Sequence, residues 1–338
     1  MTTHTAPPTA PPASASLLTE LNLGKDRFLD VVDLAQQLKD ARRQQRERPM
    51  LRSRNIALVF QKASTRTRCA FEVAAADQGA HTTYLGPDGT HLGHEESIAD
   101  TARVLGHLYD GIAFRGFAQE TIEEMARHAG VPVWNALSDD WHPTQMLADV
   151  LTIREAFPDR RRVSWAYLGD GRNNVARSIL VTGAMLGMDV RIGSPLALQP
   201  PRTVQTLAAE LAQSSGGGAW VTDDPVGSVA GADVVYTDTW VSMGEPDSAW
   251  DERVPMLRPY RVTCDLMAMT GKPDSRFMHC LPATHDDRTD LGRRVLDRYG
   301  LFGAEVSDDV FNADTSLVFQ QAANRMHTIK AVLVSSLT

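Results

Sequence analysis

Ser64-Thr65-Arg66-Thr67-Arg68 gathers hydroxyls and two guanidinium groups at one point of the chain. An apolar run, Asn55 to Phe60, precedes it, and a stretch carrying Ala70, Phe71, Val73 and Ala74 follows. Ser64 therefore reads as the N-cap of a helix that starts just after a strand. Backbone N–H groups, the positive helix end and a bidentate guanidinium together form a cradle for a phosphate dianion. The bland alternative is a capped surface helix with a basic first turn. Cations there oppose the helix dipole, however, and an anion resolves that conflict.

Other segments could complete such a site. In His142-Pro143-Thr144-Gln145, proline in the first helical turn leaves His142 and Gln145 on the leading edge, where they can donate hydrogen bonds to a carbonyl oxygen. A lone His-Pro is more commonly structural. Arg115, in FRGF after an apolar run, reads by itself as a solvated or ion-paired strand end. Gly169-Asp170-Gly171-Arg172-Asn173-Asn174 lies between strand and helix, but Asn174 stands where a dinucleotide fingerprint needs its third glycine, and no acidic residue follows at a strand end about twenty positions on. Amide side chains there suit a zwitterion. Asp238 can pair with an ammonium and leads into Ser242-Met243-Gly244; the bland reading is an ordinary turn. At His279-Cys280-Leu281-Pro282 a metal would need a further ligand, with His285 the near candidate, and a cysteine nucleophile would need a setting that lowers its pKa.

These segments need elements to hold them. From residue 17 onward, short apolar runs alternate with longer amphipathic stretches, the rhythm of βα units on a parallel sheet. Two series follow one another. The second starts at Val163 to Leu168 and continues through a helix at Val175 to Leu186, the strand-like DVRIG, and strands at Asp233 to Thr237 and Arg276 to Cys280. Pro143 to Glu155 reads as a helix joining the two series. Phe319, Ala322, Met326, Ile329 and Leu333 mark a long C-terminal helix.

Composition narrows the function classes. The chain of 338 residues is 43% hydrophobic and 22% charged, enough for two cored domains. A formal charge of -8 without a Lys/Arg block leaves no footprint for nucleic acid or an anionic membrane. No apolar run approaches the roughly 18 residues of a spanning helix. Three cysteines at unhelpful spacings suit a reducing cytoplasm. The proline-rich first sixteen residues lack the basic and apolar regions of a signal peptide and read as a disordered tail.

STRTR, FRGF, HPTQ, GDxRNN, DxWVSMGE, HCLP and NRMHTIKA occur in an order and spacing that resembles the ornithine carbamoyltransferases, from about residue 17 to the C-terminus. STRTR, FRGF and HPTQ are shared in outline with the wider family that includes the aspartate enzymes, whereas SMG and HCLP point to the ornithine branch. The resemblance implies an α/β fold of two doubly wound parallel-sheet domains with the active site in the cleft between them. Residues 17–145, joined by the C-terminal helix 316–338, would bind carbamoyl phosphate, and 146–315 would bind ornithine. It further implies that Ser64, Thr65, Arg66 and Thr67 hold the phosphate, and that Arg115, His142 and Gln145 engage the carbamoyl group. Cys280, Leu281 and Arg325 would line the reaction centre, with Arg115, His142, Cys280 and Arg325 as the catalytic set. Asn174, Asp238, Ser242 and Met243 would hold the amino-acid end of L-ornithine. The products would be L-citrulline and phosphate, with an ornithine analogue as the alternative acceptor, no cofactor or metal, and a homotrimer or multiple of trimers as the assembly. In that family a loop from the neighbouring subunit completes each site. Here that loop carries His91 for the usual Gln and Glu95 for Lys, so His91 should add a pH-dependent contact to carbamoyl phosphate. Gln61, Thr284 and Ala323 also depart from the family pattern, standing for Glu, Phe and Glu.

Overall fold

The computed structural model describes residues 16–87, 96–160, 162–242 and 244–338; His91, Glu95, Met243 and nearly all of the N-terminal tail lie outside them. The chain divides into two units, one of residues 1–144 with 325–338 and one of residues 145–324. Among the described residues no helix is long and apolar enough to cross a membrane.

The first unit is built on strands β1 (Asn55–Phe60), β2 (His81–Leu85), β3 (Gly111–Arg115) and β4 (Val133–Leu137), in the order β2-β1-β3-β4. All are parallel, and β1 is buried from its second residue to its last, as expected of a strand covered on both faces. Ala57, Val59, Ile112 and Phe114 pack with Ala102, Leu105, Ile122 and Met125 from helices Ile98–Leu108 and Gln119–Ala129. Helix Thr65–Asp77 starts where anticipated and buries Ala70, Phe71 and Ala74. Val73 is 40% exposed, so the buried stripe is narrower than the apolar spacing suggests.

In the second unit, strands β5 (Ser164–Leu168), β6 (Asp189–Gly193), β7 (Gly218–Thr222), β8 (Val234–Thr237) and β9 (Arg276–His279) form a parallel sheet ordered β7-β6-β5-β8-β9. Helices Asn174–Leu186 and Arg202–Ser215 belong to the same series, and Ala166, Leu168, Val235 and Phe277 enter one core. Both units are α/β with parallel sheets, which is the fold class anticipated.

The C-terminal helix, Val318–Leu337, differs from its predicted stripe. Phe319 is 68% exposed, while Ile329 through Val334 are all buried, including Lys330 at 0%. Lys330 donates to Asp77 at 2.8 Å and to Glu47, which also accepts from Gln78 at 2.8 Å. A charge buried this completely is tolerated only with such partners. Trp134 Nε1 donates to Ser336 Oγ at 3.1 Å, fastening the helix end to β4. Replacing Lys330 by Met strands two carboxylates that each keep one other donor, Gln78 for Glu47 and Arg42 for Asp77. We expect Lys330→Met to lower stability by about 3 kcal/mol, the lower end for breaking a buried pair, measured by urea denaturation.

Candidate functional site

In the first unit, side chains collect at the carboxyl ends of β1, β3 and β4, where open parallel sheets hold ligands. Ser64 caps helix Thr65–Asp77 by accepting from the Thr67 amide at 3.3 Å. Thr65 is exposed and Arg66 half-buried, and among the described residues the Arg66 guanidinium has no hydrogen bond or ion pair. Thr67 is buried, and its hydroxyl accepts from Arg325 at 3.0 Å, bringing the C-terminal helix to the loop. Arg68 turns away, bonded to Glu72 at 2.8 Å and lying 4.0 Å from the Tyr84 ring centre. Only one of the two guanidinium groups of this segment thus remains available at the helix start.

Arg115 pairs with Phe60 across the sheet, and its carbonyl accepts from the Gln61 amide at 2.8 Å. Contrary to the reading of a solvated strand end, it is 5% exposed. Arg325 and His142 are also buried, at 4% and 3%. Burial, then the charges of Arg325 and Arg115, holds the His142 imidazole well below its usual pKa. It is therefore a neutral donor or acceptor at physiological pH, with Thr144 Oγ1 3.5 Å from Nδ1. Gln145 does not lie on an open edge as expected: it is fully buried, and its amide donates to Asp149 at 2.7 Å. Its Oε1 has no partner among the described residues.

In the second unit, Gly169, at φ +136°, turns the chain from β5 into the helix that Asn173 caps. Asn173 accepts from the Ala176 amide at 2.7 Å and donates to Tyr167 OH at 2.8 Å and to Asp238 at 3.5 Å. Asn174 is half-buried at the first helical position. Cys280 donates its S–H to Asp238 at 3.1 Å, so Asp238, Asn173 and Cys280 form one polar group. Leu281 adopts φ +61°, and its amide donates to His279 Nδ1 at 2.9 Å, which puts the imidazole proton on Nε2, 3.4 Å from Glu305. Glu305 also accepts from the Thr284 amide at 2.6 Å.

Ser242 is exposed, and its amide donates to Glu245 at 2.7 Å. Glu245 pairs with Arg253 at 2.9 Å, which reaches Asp170, and Asp170 also pairs with Arg172 at 2.9 Å. Burial opposes ionisation of Asp170, but the bonds from Arg172 and Arg253 outweigh it and hold the carboxyl below the usual range. This network ties Ser242 and Glu245 to the 169–173 turn. Asp170, Asn173 and Glu245 lie in motifs that the sequence singles out, but the cap at Asn173 and the role of Arg253 carried no sequence signal, since the pairing of Arg253 with Asp170 spans 83 positions.

Asp238, His279 and Cys280 present donor atoms within 4.8 Å of one another. Two of them are committed internally, His279 Nδ1 to the Leu281 amide and the Cys280 thiol to Asp238.

The family described as "Aspartate/ornithine carbamoyltransferase, carbamoyl-P binding domain" matches residues 16–155, and its "Asp/Orn binding domain" counterpart matches 161–336. A catabolic ornithine carbamoyltransferase of Rhizobium meliloti is 50% identical over 325 residues, covering 95% of this chain and 97% of that one. Its counterpart in Pseudomonas putida is 53% identical over 310 residues, covering 91% and 92%. The solved structure of ornithine carbamoyltransferase from Pyrococcus furiosus superposes with a TM-score of 0.86 at 40% identity, covering 95% of this chain and 96% of that one. On the strength of both matched domains and of identities sustained along nearly the whole chain, this protein is a carbamoyltransferase and belongs to the aspartate/ornithine carbamoyltransferase family.

Proposed function

We propose that the protein transfers the carbamoyl group of carbamoyl phosphate to the side-chain amine of L-ornithine, yielding L-citrulline and phosphate. The observation that carries this reading is that the first unit gathers Arg115 and Arg325 about a neutral His142, with Arg66 at the helix start, while the second unit holds Asp238 beside Asn173 and Cys280. The first suits a phosphate dianion and the second an ammonium. The names of the relatives from Rhizobium meliloti and Pseudomonas putida support the acceptor.

Attack on the carbonyl carbon needs a neutral amine. An alkyl ammonium of pKa about 10.4 costs roughly 4 to 5 kcal/mol to deprotonate at neutral pH. Arg66, Arg115 and Arg325 lower that cost by like-charge repulsion once the amine approaches the carbamoyl group. As the carbon becomes tetrahedral, Arg66, Arg115 and His142 stabilise the oxyanion, and the C–O bond to phosphate breaks as the C–N bond forms. His142 serves this step as a neutral hydrogen-bond donor, and the departing phosphate accepts the amine proton. In this reading Ser64, Thr65 and Thr67 bind phosphate oxygens, Gln145 Oε1 takes a carbamoyl N–H, and Cys280, Leu281, Asn174, Ser242 and Met243 position the acceptor. His91 of a neighbouring subunit completes the phosphate contacts of a trimer. A second acceptor, an ornithine analogue, is favoured by Thr284, buried where the family carries Phe.

Three outcomes are expected. Arg66→Ala lowers kcat/KM by about 10²- to 10³-fold, the scale for losing one preorganised oxyanion donor, with an unchanged melting temperature because Arg66 has no partner among the described residues. Near-normal turnover of this variant removes Arg66 from the mechanism. Asp238→Asn raises the KM for ornithine and leaves that for carbamoyl phosphate unchanged; equal losses for both substrates contradict the assignment. The third follows from the depressed pKa of His142. Below about pH 6.5 the unfolded chain takes up a proton that the folded protein refuses, so stability falls by up to about 1.4 kcal/mol per pH unit as acidity increases, until the folded pKa is reached. His142→Gln flattens this slope in denaturation measured between pH 5 and 7; parallel slopes for both proteins show that His142 binds its proton equally in the folded and unfolded chain.

A further inference from the structure

A cleft of about 410 Å³ in the second unit shares no lining residue with the groups described above, and is lined by Arg258, Arg261, Thr263, Asp265 and the apolar Val226 and Met269. Its two arginines differ in their partners from other arginines of the same unit. Nearby Arg293, Arg294 and Arg298 each meet a carboxylate, those of Asp290, Asp247 and Asp251. Arg258 and Arg261 reach only backbone carbonyls, of Tyr299 at 2.8 Å and of Phe302, and among the described residues neither is ion-paired. Arg261 Nε is buried without a partner among the described residues. Burial first, then the like charge of Arg258, pulls the Arg261 guanidinium below its usual pKa, and Glu305 only partly offsets this. Two guanidinium groups close enough to repel each other, on the wall of one cleft, are a standing demand for negative charge. Asp265 supplies one such charge on the same wall but forms no ion pair with either arginine. The Thr263 hydroxyl accepts from the Leu266 amide at 3.3 Å, which leaves its proton to donate.

We propose that this cleft is a second anion site, in which Arg258, Arg261 and the Thr263 hydroxyl bind a small oxyanion such as a phosphate group. Val226 and Met269, 46% and 53% exposed, flank it with apolar surface that accommodates an organic substituent on that group. Planar guanidinium groups match tetrahedral oxyanions through paired N–H donors, and occupation relieves the repulsion between the arginines.

The test uses inorganic phosphate as the probe, with calorimetric titration of the intact protein. Wild type is expected to bind one more phosphate per chain than Arg261→Gln or Arg258→Gln, or to lose at least tenfold in affinity at one site on either substitution. Arg261→Lys, which keeps the charge but not the fork of donors, should fall between. Carbamoyl transfer and melting temperature should stay at wild-type values in all three, since none of these residues belongs to the proposed catalytic groups. Should Arg261→Gln fail to fold, Arg258→Gln carries the test, because Arg258 is exposed. Phosphate stoichiometry and affinity identical to wild type in folded variants overturn the proposal.

Discussion

Positive charge buried beside an uncharged imidazole is the constraint on which the first unit depends. Arg115 and Arg325 come from elements 210 positions apart, and both are sequestered from water with His142 between their fields. A guanidinium cannot lose its proton at any accessible pH, so the group that yields is the histidine. The strand end at Arg115, the turn at His142 and the helix at Arg325 are thereby committed to a cationic pocket with a neutral donor inside it. Thr67 contributes to that commitment, since its hydroxyl steers Arg325 while its amide completes the Ser64 cap. One residue thus joins the local chemistry of a helix start to a contact 258 positions away.

The second unit reaches the opposite polarity by a different route. Asp238 is not sequestered by counter-charge; it accepts hydrogen bonds from a thiol, an amide side chain and the Thr239 amide. Neutral donors stabilise a carboxylate without cancelling its charge, so it keeps its attraction for a cation. Asp170, by contrast, is neutralised by Arg172 and Arg253 and spends its charge on holding two loops together. Two aspartates on neighbouring strand ends therefore have separate tasks, set by the chemistry of their donors.

Local rules carried most of what the sequence disclosed. The Ser64 cap, the strand before it, the helix at Pro143 and the βα alternation each depend on residues within a few positions, and each is present in the structure. Long-range decisions were not legible. Arg115 reads as a surface residue until β1 and β4 close on either side of it, and Arg68 reads as part of a phosphate loop until Glu72 and Tyr84 capture it. Gln145 reads as an edge donor until Asp149, one turn on, claims its amide. Periodicity misled at the C-terminal helix because it assumes one wet face, whereas the stretch from Ile329 to Val334 has none and Phe319 stands in solvent.

The division of the first unit between the two ends of the chain also sets an order of events during synthesis. Its sheet is encoded by residue 144, yet the helix bearing Arg325 and Lys330 is translated last, after the whole second unit. At about 5 to 20 residues per second, the 194 residues from 145 to 338 take roughly 10 to 40 seconds to make. Throughout that interval Glu47 and Asp77 lack their ammonium partner, and the indole N–H of Trp134 lacks the Ser336 hydroxyl. The second unit, continuous from 145 to 324, faces no such delay. Residue 324 lies only 14 positions before residue 338, so the two units become complete at nearly the same time, and it is the sheet of the first that waits.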